Sequence, residues 1–316
     1  MEAEFIRWLR NRVAGHPRLT VGLGSDAAVI ANSASTGWVV TTDAITEGVD
    51  FRLAVDDPRR IGRKALAVNL SDLAAMAARP VAVVVNLVLP RHGAAALARE
   101  LYEGLLPLAE QFEVAIAGGD TNTWDGGLVM AVTAMGETTS RGAWTRAGAR
   151  PGDEILVTGS FGGSFLGKQF EFTPRVATAL RLNELYEIHA ATDVSDGLSL
   201  DLSHILEESG CGAELDLASI PLAPAAAEWA RASGDGRSPL EHALSDGEDF
   251  ELIVAAPPDV AARLLAEARS PDSNISGSDL APVTRIGRFI AERGLFAVGV
   301  DGVRRPLVPR GYQHFA

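Results

Sequence analysis

Two hydrophobic periods alternate along the chain. Runs with the extended, near-continuous or two-residue pattern of strands fall at Gly37 to Thr42, Val81 to Leu89, Val114 to Ala117 and Met130 to Gly136. Between them, Arg59 to Ala78 and Ala94 to Phe112 carry the three-to-four-residue recurrence of helices. This is a mixed α and β pattern. The segment RGAWTRAGARPGD, Arg141 to Asp153, has no apolar period and is rich in Gly, Arg and Pro, so it reads as a junction. Beyond it the alternation resumes, with strands expected at Glu154 to Thr158, Phe250 to Ala255 and Thr284 to Ile290 and helices at Arg175 to His189 and Leu200 to Ser209. The expectation is an α+β fold of two α/β-type domains, 1–140 and 141–316. The first would hold a mixed sheet with helices, the second an α/β sandwich. The N-terminal MEAEFIRWLRNRV reads as an amphipathic surface helix, because acids come first and no sustained apolar region follows. Ser233 to Pro239 and Ser270 to Asp279 read as solvated loops without chemistry. Neither an internal repeat nor a heptad pattern is visible.

Composition narrows the function. With 316 residues, 47% of them hydrophobic, the chain can bury a sizeable core and is comfortable as two domains. Its 41 acids against 28 bases, a formal net charge of -13, oppose binding to nucleic acid or an anionic membrane surface. The longest apolar run, Val81 to Leu89, contains Asn86 and is too short to span a bilayer. Cys211 is the single cysteine, which rules out an intrachain disulfide or a cysteine metal cluster and suits a reducing cytoplasm; it reads as a small buried hydrophobe. Were the substrate a phosphate compound, the acidic chain would repel it unless cations stood between them.

The aspartates supply a place for such cations. Asp26 in GLGSDAAV, Asp43 in VVTTDAITEGVD, Asp120 in VAIAGGDTN, and Asp193 with Asp196 in HAATDVSDGL all follow strand-like runs. Each alone is equally a turn former or helix N-cap. Asp72 is different, because it sits inside the apolar helical run Ala65 to Ala78 with Asn69 one turn earlier on the same face. A carboxylate there is costly to bury alone and inexpensive when bound to a cation. Magnesium takes carboxylates, water and phosphate oxygens, and Thr41 and Thr42 beside Asp43 offer hydroxyl or carbonyl oxygens to the same shell. Zinc is disfavoured, since the six histidines have no paired ligand spacing.

Two glycine patterns accompany the acids. Gly118-Gly119 before Asp120 would let backbone approach a nucleotide closely, and TGSFGGS, Thr158 to Ser164, follows a strand as phosphate loops do, although an ordinary turn explains it equally. Neither fits the GxxxxGK[ST] phosphate loop, and no G-x-S-x-G elbow suggests a serine hydrolase.

In order and spacing, GLGSDAAV, TTDAITEGVDF, GRKALAVNLSDLAAMAARP, AIAGGDT, TRAGARPGD, HAATDVSDGLSLDL, LSDGEDFEL and the closing GYQHF resemble the thiamine-monophosphate kinase family over nearly the whole chain. NLSDLAAM and DVSDGL are the most specific of these. The surrounding superfamily holds other ATP-using enzymes, including aminoimidazole ribonucleotide synthetase, so a different acceptor, or a noncatalytic nucleotide-binding role, is the alternative. The resemblance implies several Mg2+ ions on Asp26, Thr41, Thr42, Asp43, Asp72, Asp120, Asp193 and Asp196. ATP would meet Gly119, Asp120, Arg146 and Ser195, and thiamine monophosphate would meet Asp50, Glu248 and Tyr312. It further implies γ-phosphoryl transfer to that monophosphate, and a homodimer paired through the N-terminal domains. This chain departs from the family pattern at Ser25, where an aspartate is usual, at Asp50, where histidine is frequent, and at Phe250, where tyrosine is usual.

Overall fold

Helix α1, Pro58–Ala75, is the element on which both halves of the chain are built. Asp57 caps it by accepting the Arg59 N–H at 2.9 Å, and Pro58 supplies a φ already suited to the first turn. Ala77, with φ 49°, ends it. Ile61, Ala65, Leu66, Leu70, Leu73 and Ala74 are all fully buried, so the helix is apolar around most of its circumference, as an internal helix must be. The computed structural model describes residues 8–9, 11, 17–22, 24–32, 37–268, 281–299 and 301–313. The expected N-terminal helix lies outside the described residues apart from Trp8 and Leu9, which are helical, and the loop expected at Ser270 to Asp279 lies outside them entirely.

A six-stranded sheet covers one side of α1. Its strands are β1 (Leu19–Val21), β2 (Ala28–Ala31), β3 (Gly37–Thr46), β4 (Ala78–Pro90), β5 (Ala115–Trp124) and β6 (Val129–Thr138), in the order β1-β2-β3-β6-β4-β5. All pairs are antiparallel except β4 with β5, whose parallel crossover is helix α2, Ala94–Gln111. A seven-stranded sheet lies on the other side: β7 (Glu154–Thr158), β8 (Ala190–Asp193), β9 (Gly212–Asp216), β10 (Leu252–Ala256), β11 (Val283–Ile290), β12 (Gly294–Val298) and β13 (Arg304–Pro306), ordered β13-β12-β9-β11-β7-β10-β8. Helices α3 (Lys168–Glu171), α4 (Val176–Leu185), α5 (Leu198–Ser209), α6 (Pro224–Ala232), α7 (Pro239–Ser245) and α8 (Pro258–Ala268) complete this half. Leu156, Leu252 and Val254 face the core they share with α1, α4 and α8, while Ile155, Val157 and Ile253 face a second core under α5 and α7. Alternate residues of each strand thus serve opposite helical layers, which makes the second half a sandwich and the fold α+β. Cys211 is buried, as expected.

Two sequence expectations change. Asp43 lies within β3, opposite Val132, rather than at a strand end. Gly118, Gly119 and Asp120 continue β5 instead of breaking it, with Asp120 opposite Asn86. A Cβ on Gly119 would meet the Val85 carbonyl oxygen at 1.8 Å, so this glycine serves the close approach of β4. Ser233 to Ser238 is a largely exposed loop, as expected, and it ends in a capping box of Ser238 and Glu241 on α7, with Arg237 paired to Asp246 at 2.8 Å.

The contact of α1 with α2 depends on two glycines. A Cβ at Gly62 would stand 1.9 Å from the Leu101 carbonyl oxygen, and one at Gly104 would stand 1.7 Å from that of Arg59. Gly62→Ala or Gly104→Ala is therefore expected to destabilise the protein by about 1–3 kcal/mol, read as a lowered thermal midpoint. An unchanged midpoint would show that the helices are free to separate.

Candidate active site

Three carboxylates from three distant segments converge where the two sheets meet α1. Asp26 sits in the turn between β1 and β2, Asp72 on the last turn of α1, and Asp193 at the end of β8, each placing one carboxylate oxygen so that all three lie within 4.8 Å of one another. Asp193 is fixed by its pairing with Leu252 of β10. Neighbouring hydroxyls hold the group. Thr41 Oγ1 donates to Asp72 Oδ2 at 2.5 Å, Ser71 Oγ to Asp193 Oδ2 at 2.6 Å, and Thr192 Oγ1 to Asp26 Oδ1 at 2.8 Å. Arg146, from the junction segment, donates from Nη2 to Asp26 Oδ1 at 2.7 Å and from Nε to Thr192 Oγ1 at 3.2 Å.

Charge is not balanced within this group. Burial pushes Asp72 well above the ordinary carboxylate range, and Asp43, Asp193 and Asp26 push it further. Asp193 is pushed up to about 8, by burial and then by Asp26. Burial works against the charge on Arg146, yet Asp26 beside it holds the guanidinium above its ordinary value. Two like charges about 4 Å apart repel by about 4 kcal/mol at an effective dielectric of about 20, so a single arginine offsets one carboxylate and leaves two in conflict. Asp26 Oδ2 is buried and has no hydrogen-bond donor. An orphaned anionic oxygen within an all-oxygen donor set fits a hard divalent cation such as Mg2+.

The other expected residues are distributed around this centre. Asp43 is near enough to raise Asp72, and its backbone N–H is held by Asn69 Oδ1 at 3.1 Å. Thr42 alternates to the opposite face of β3, where its hydroxyl donates to the Val132 carbonyl at 3.1 Å. Asp120 is exposed on edge strand β5, outside the three-carboxylate group. Ser195 and Asp196 lie in the loop after β8; the Ser195 carbonyl accepts the Glu248 N–H at 2.7 Å and the Asp196 carbonyl accepts the Tyr312 N–H at 3.0 Å. Glu248 and Tyr312 are thereby tied by backbone to the acidic loop. Asp50 accepts the Thr46 N–H through Oδ2 at 2.7 Å. The TGSFGGS loop behaves as a structural turn, since the Gly162 N–H is already taken by both oxygens of buried Asp249, each at 3.1 Å.

Sequence reading passed over Lys64, Ser71, Thr192 and Asp201. Asp201, buried in the first turn of α5, accepts the N–H groups of Asp196 and Gly197 at 3.0 and 2.9 Å and so shapes the acidic loop. Its position is that of an ordinary helix-start acid, which hides it. Lys64 carried a better signal, being a charge inside the same apolar helix as Asp72.

Known proteins share this arrangement's sequence and fold. The AIR synthase related protein models match, the N-terminal domain over residues 24–138 and the C-terminal domain over 150–298. A thiamine-monophosphate kinase of Rhodopirellula baltica is 43% identical over 321 residues, covering 99% of this chain and 97% of that protein. Of solved structures, the thiamine-monophosphate kinase of Stenotrophomonas maltophilia is 34% identical with a TM-score of 0.71 over 95% of both chains. AaThiL complexed with AMPPCP and TMP is 26% identical with a TM-score of 0.80, over 99% of this chain and 96% of that one.

The raised carboxylates have a consequence for stability. Asp193 titrates near 8 when folded and near about 3.9 when unfolded, so between those values the folded state holds more protons, and stability falls as pH rises through the window. A divalent cation replaces those protons. Mg2+ is expected to raise the thermal midpoint more at about pH 8.5 than at about pH 6. Equal shifts at both pH values would separate the cation from these carboxylates.

Proposed function

The chain belongs to the thiamine-monophosphate kinases, a group of phosphotransferases within the AIR synthase related family, and from that membership we propose that it moves the γ-phosphoryl group of ATP onto thiamine monophosphate, giving thiamine diphosphate and ADP. The observation that carries this reading is the half-buried Asp26–Asp72–Asp193 group with its orphaned oxygen, since such a group repels phosphates unless cations intervene. Asp26, Thr41, Asp43, Asp72, Asp120, Asp193 and Asp196 would hold Mg2+, with Thr42 contributing its main-chain oxygen because its hydroxyl is given to Val132. When bound, the ions neutralise charge between donor and acceptor phosphates.

The chain's own residues then have positional tasks. The acceptor phosphate oxygen is already anionic near neutral pH, so no side chain need act as general base, and catalysis rests on alignment. Gly119, Asp120, Arg146 and Ser195 are assigned to ATP, and Asp50, Glu248 and Tyr312 to thiamine monophosphate. Ser25, where this chain departs from the family pattern, lies beside Arg146: its Oγ accepts the Arg146 backbone N–H at 3.4 Å. Residues 1–140 would carry most of the cation site and 141–316 most of the acceptor site.

The wider reading includes a homodimer and a cytoplasmic location. Edge strand β5 is exposed, with Asp120 and Trp124 on it, and this supports pairing through the first sheet. No helix among the described residues is long and apolar enough to cross a membrane.

The assay is ADP release and thiamine diphosphate formation from thiamine monophosphate, ATP and Mg2+. Turnover is expected, and a folded protein without it would defeat the assignment. Asp72→Asn is expected to lower the rate by orders of magnitude while leaving the circular dichroism spectrum intact. A near-wild-type rate would remove Asp72 from the cation site.

A further inference from the structure

Lys64 is an ammonium group sealed inside the helix that both halves share. Its side chain is 1% exposed, on the otherwise apolar α1, and nothing in the cation site requires it there. Nζ donates to the Asp50 carbonyl at 3.1 Å and to Gln169 Oε1 at 3.0 Å, and it lies 2.5 Å from Glu248 Oε2. The Phe170 ring centroid is 5.3 Å away. Two hydrogen bonds, to one oxygen from each half of the chain, and an ion pair to the second half hold the ammonium group.

A helix that only needed packing would carry an apolar residue at this position, because a buried ion pair of this kind seldom outperforms an apolar replacement in stability. The partner is also held in an unusual way. Glu248 has φ 58° and Phe250 φ 50°, both in the left-handed region that non-glycine residues seldom occupy. That backbone is fixed from outside by Ser195 and Val194 carbonyls, at 2.7 and 2.8 Å, and by Ser164 Oγ donating to the Gly247 carbonyl at 2.7 Å. The strained loop places Glu248 over Lys64, while the glutamate keeps 21% of its side chain exposed. Burial favours protonated Glu248, Lys64 opposes that, and Asp50 and Asp196 reinforce it.

We propose that Lys64 is a positioning residue for the acceptor: it fixes the Glu248 carboxylate in place and in charge, so that this carboxylate can meet a cationic heterocycle. This inference rests on the kinase reading and concerns a residue that acts through Glu248 rather than by touching the acceptor.

Steady-state kinetics of wild type, Lys64→Met, Glu248→Gln and the double variant test it, varying thiamine monophosphate and ATP separately. Lys64→Met is expected to raise the KM for thiamine monophosphate about tenfold, because the Glu248 carboxylate loses the cation that holds it, with the KM for ATP nearly unchanged. In the Glu248→Gln background the same change is expected to have little further effect, because the two residues act as one unit. Equal effects in both backgrounds, an unchanged KM for thiamine monophosphate, or a matching rise for ATP would overturn the proposal. Should Lys64→Met fail to fold, a double variant that folds as stably as Glu248→Gln supports the pairing, and a double variant that also fails assigns Lys64 to packing alone and overturns it. Wild-type protein without turnover defeats the kinase reading and this inference together, whereas active wild type with an indifferent Lys64→Met defeats this inference alone.

Discussion

Mutual repulsion among Asp26, Asp72 and Asp193 is the constraint to which the rest of the structure answers. One carboxylate comes from a turn, one from a helix and one from a strand of the second sheet, and among the described residues only Arg146 offsets them directly. Left alone, such a group would separate or take up protons, and the raised values at Asp72 and Asp193 register the second tendency. Thr41, Ser71 and Thr192 keep the oxygens aimed inward despite that cost. Backbone carries the arrangement further: Asp201 fixes the Asp196–Gly197 turn, which in turn holds Tyr312. A site of stored repulsion is stable only within a scaffold stronger than itself.

That scaffold is α1. Because its apolar surface faces both sheets, the helix is rigidly held, and the polar residues it carries become fixed reference points. Asp72 lies near its C-terminal end and Lys64 eight residues earlier, a separation of roughly 12 Å at 1.5 Å per residue. One helix thus fixes the spacing between Asp72 and the Lys64–Glu248 pair. The glycine contacts with α2 keep it seated from the first half, and Arg63, whose guanidinium donates to the Phe170 and Phe172 carbonyls at 2.8 and 2.7 Å, ties it to the second.

Much of this was legible from residues alone. Long, strongly periodic segments such as 59–78 and 94–112 announced their helices, and Glu154–Thr158 its strand, because local burial pattern decides those elements. Asp72 was legible for a different reason, since a carboxylate in an apolar helix demands a partner. Lys64 presented the same anomaly, but its partners Glu248 and Gln169 lie more than a hundred residues away, and no local pattern brings them near. The pair Gly118-Gly119 carries no local mark of its place within β5, where Gly119 lets β4 approach closely. Thr42 stood beside true neighbours of the site in sequence yet alternates to the far face, which only strand direction reveals. Asp201 was hidden by resembling an ordinary acid at a helix start. The family pattern grouped the aspartates where the physics of single residues left turns and caps as equal readings, and three of them, Asp26, Asp72 and Asp193, converge.

The most direct test of the cation account is anomalous scattering from crystals grown with Mn2+, thiamine monophosphate and a nonhydrolysable ATP analogue. The account predicts an anomalous peak bounded by Asp26, Asp72 and Asp193, with Asp26 Oδ2 as a ligand. A map in which manganese binds elsewhere, and these three carboxylates meet only Arg146, hydroxyls and water, would contradict it.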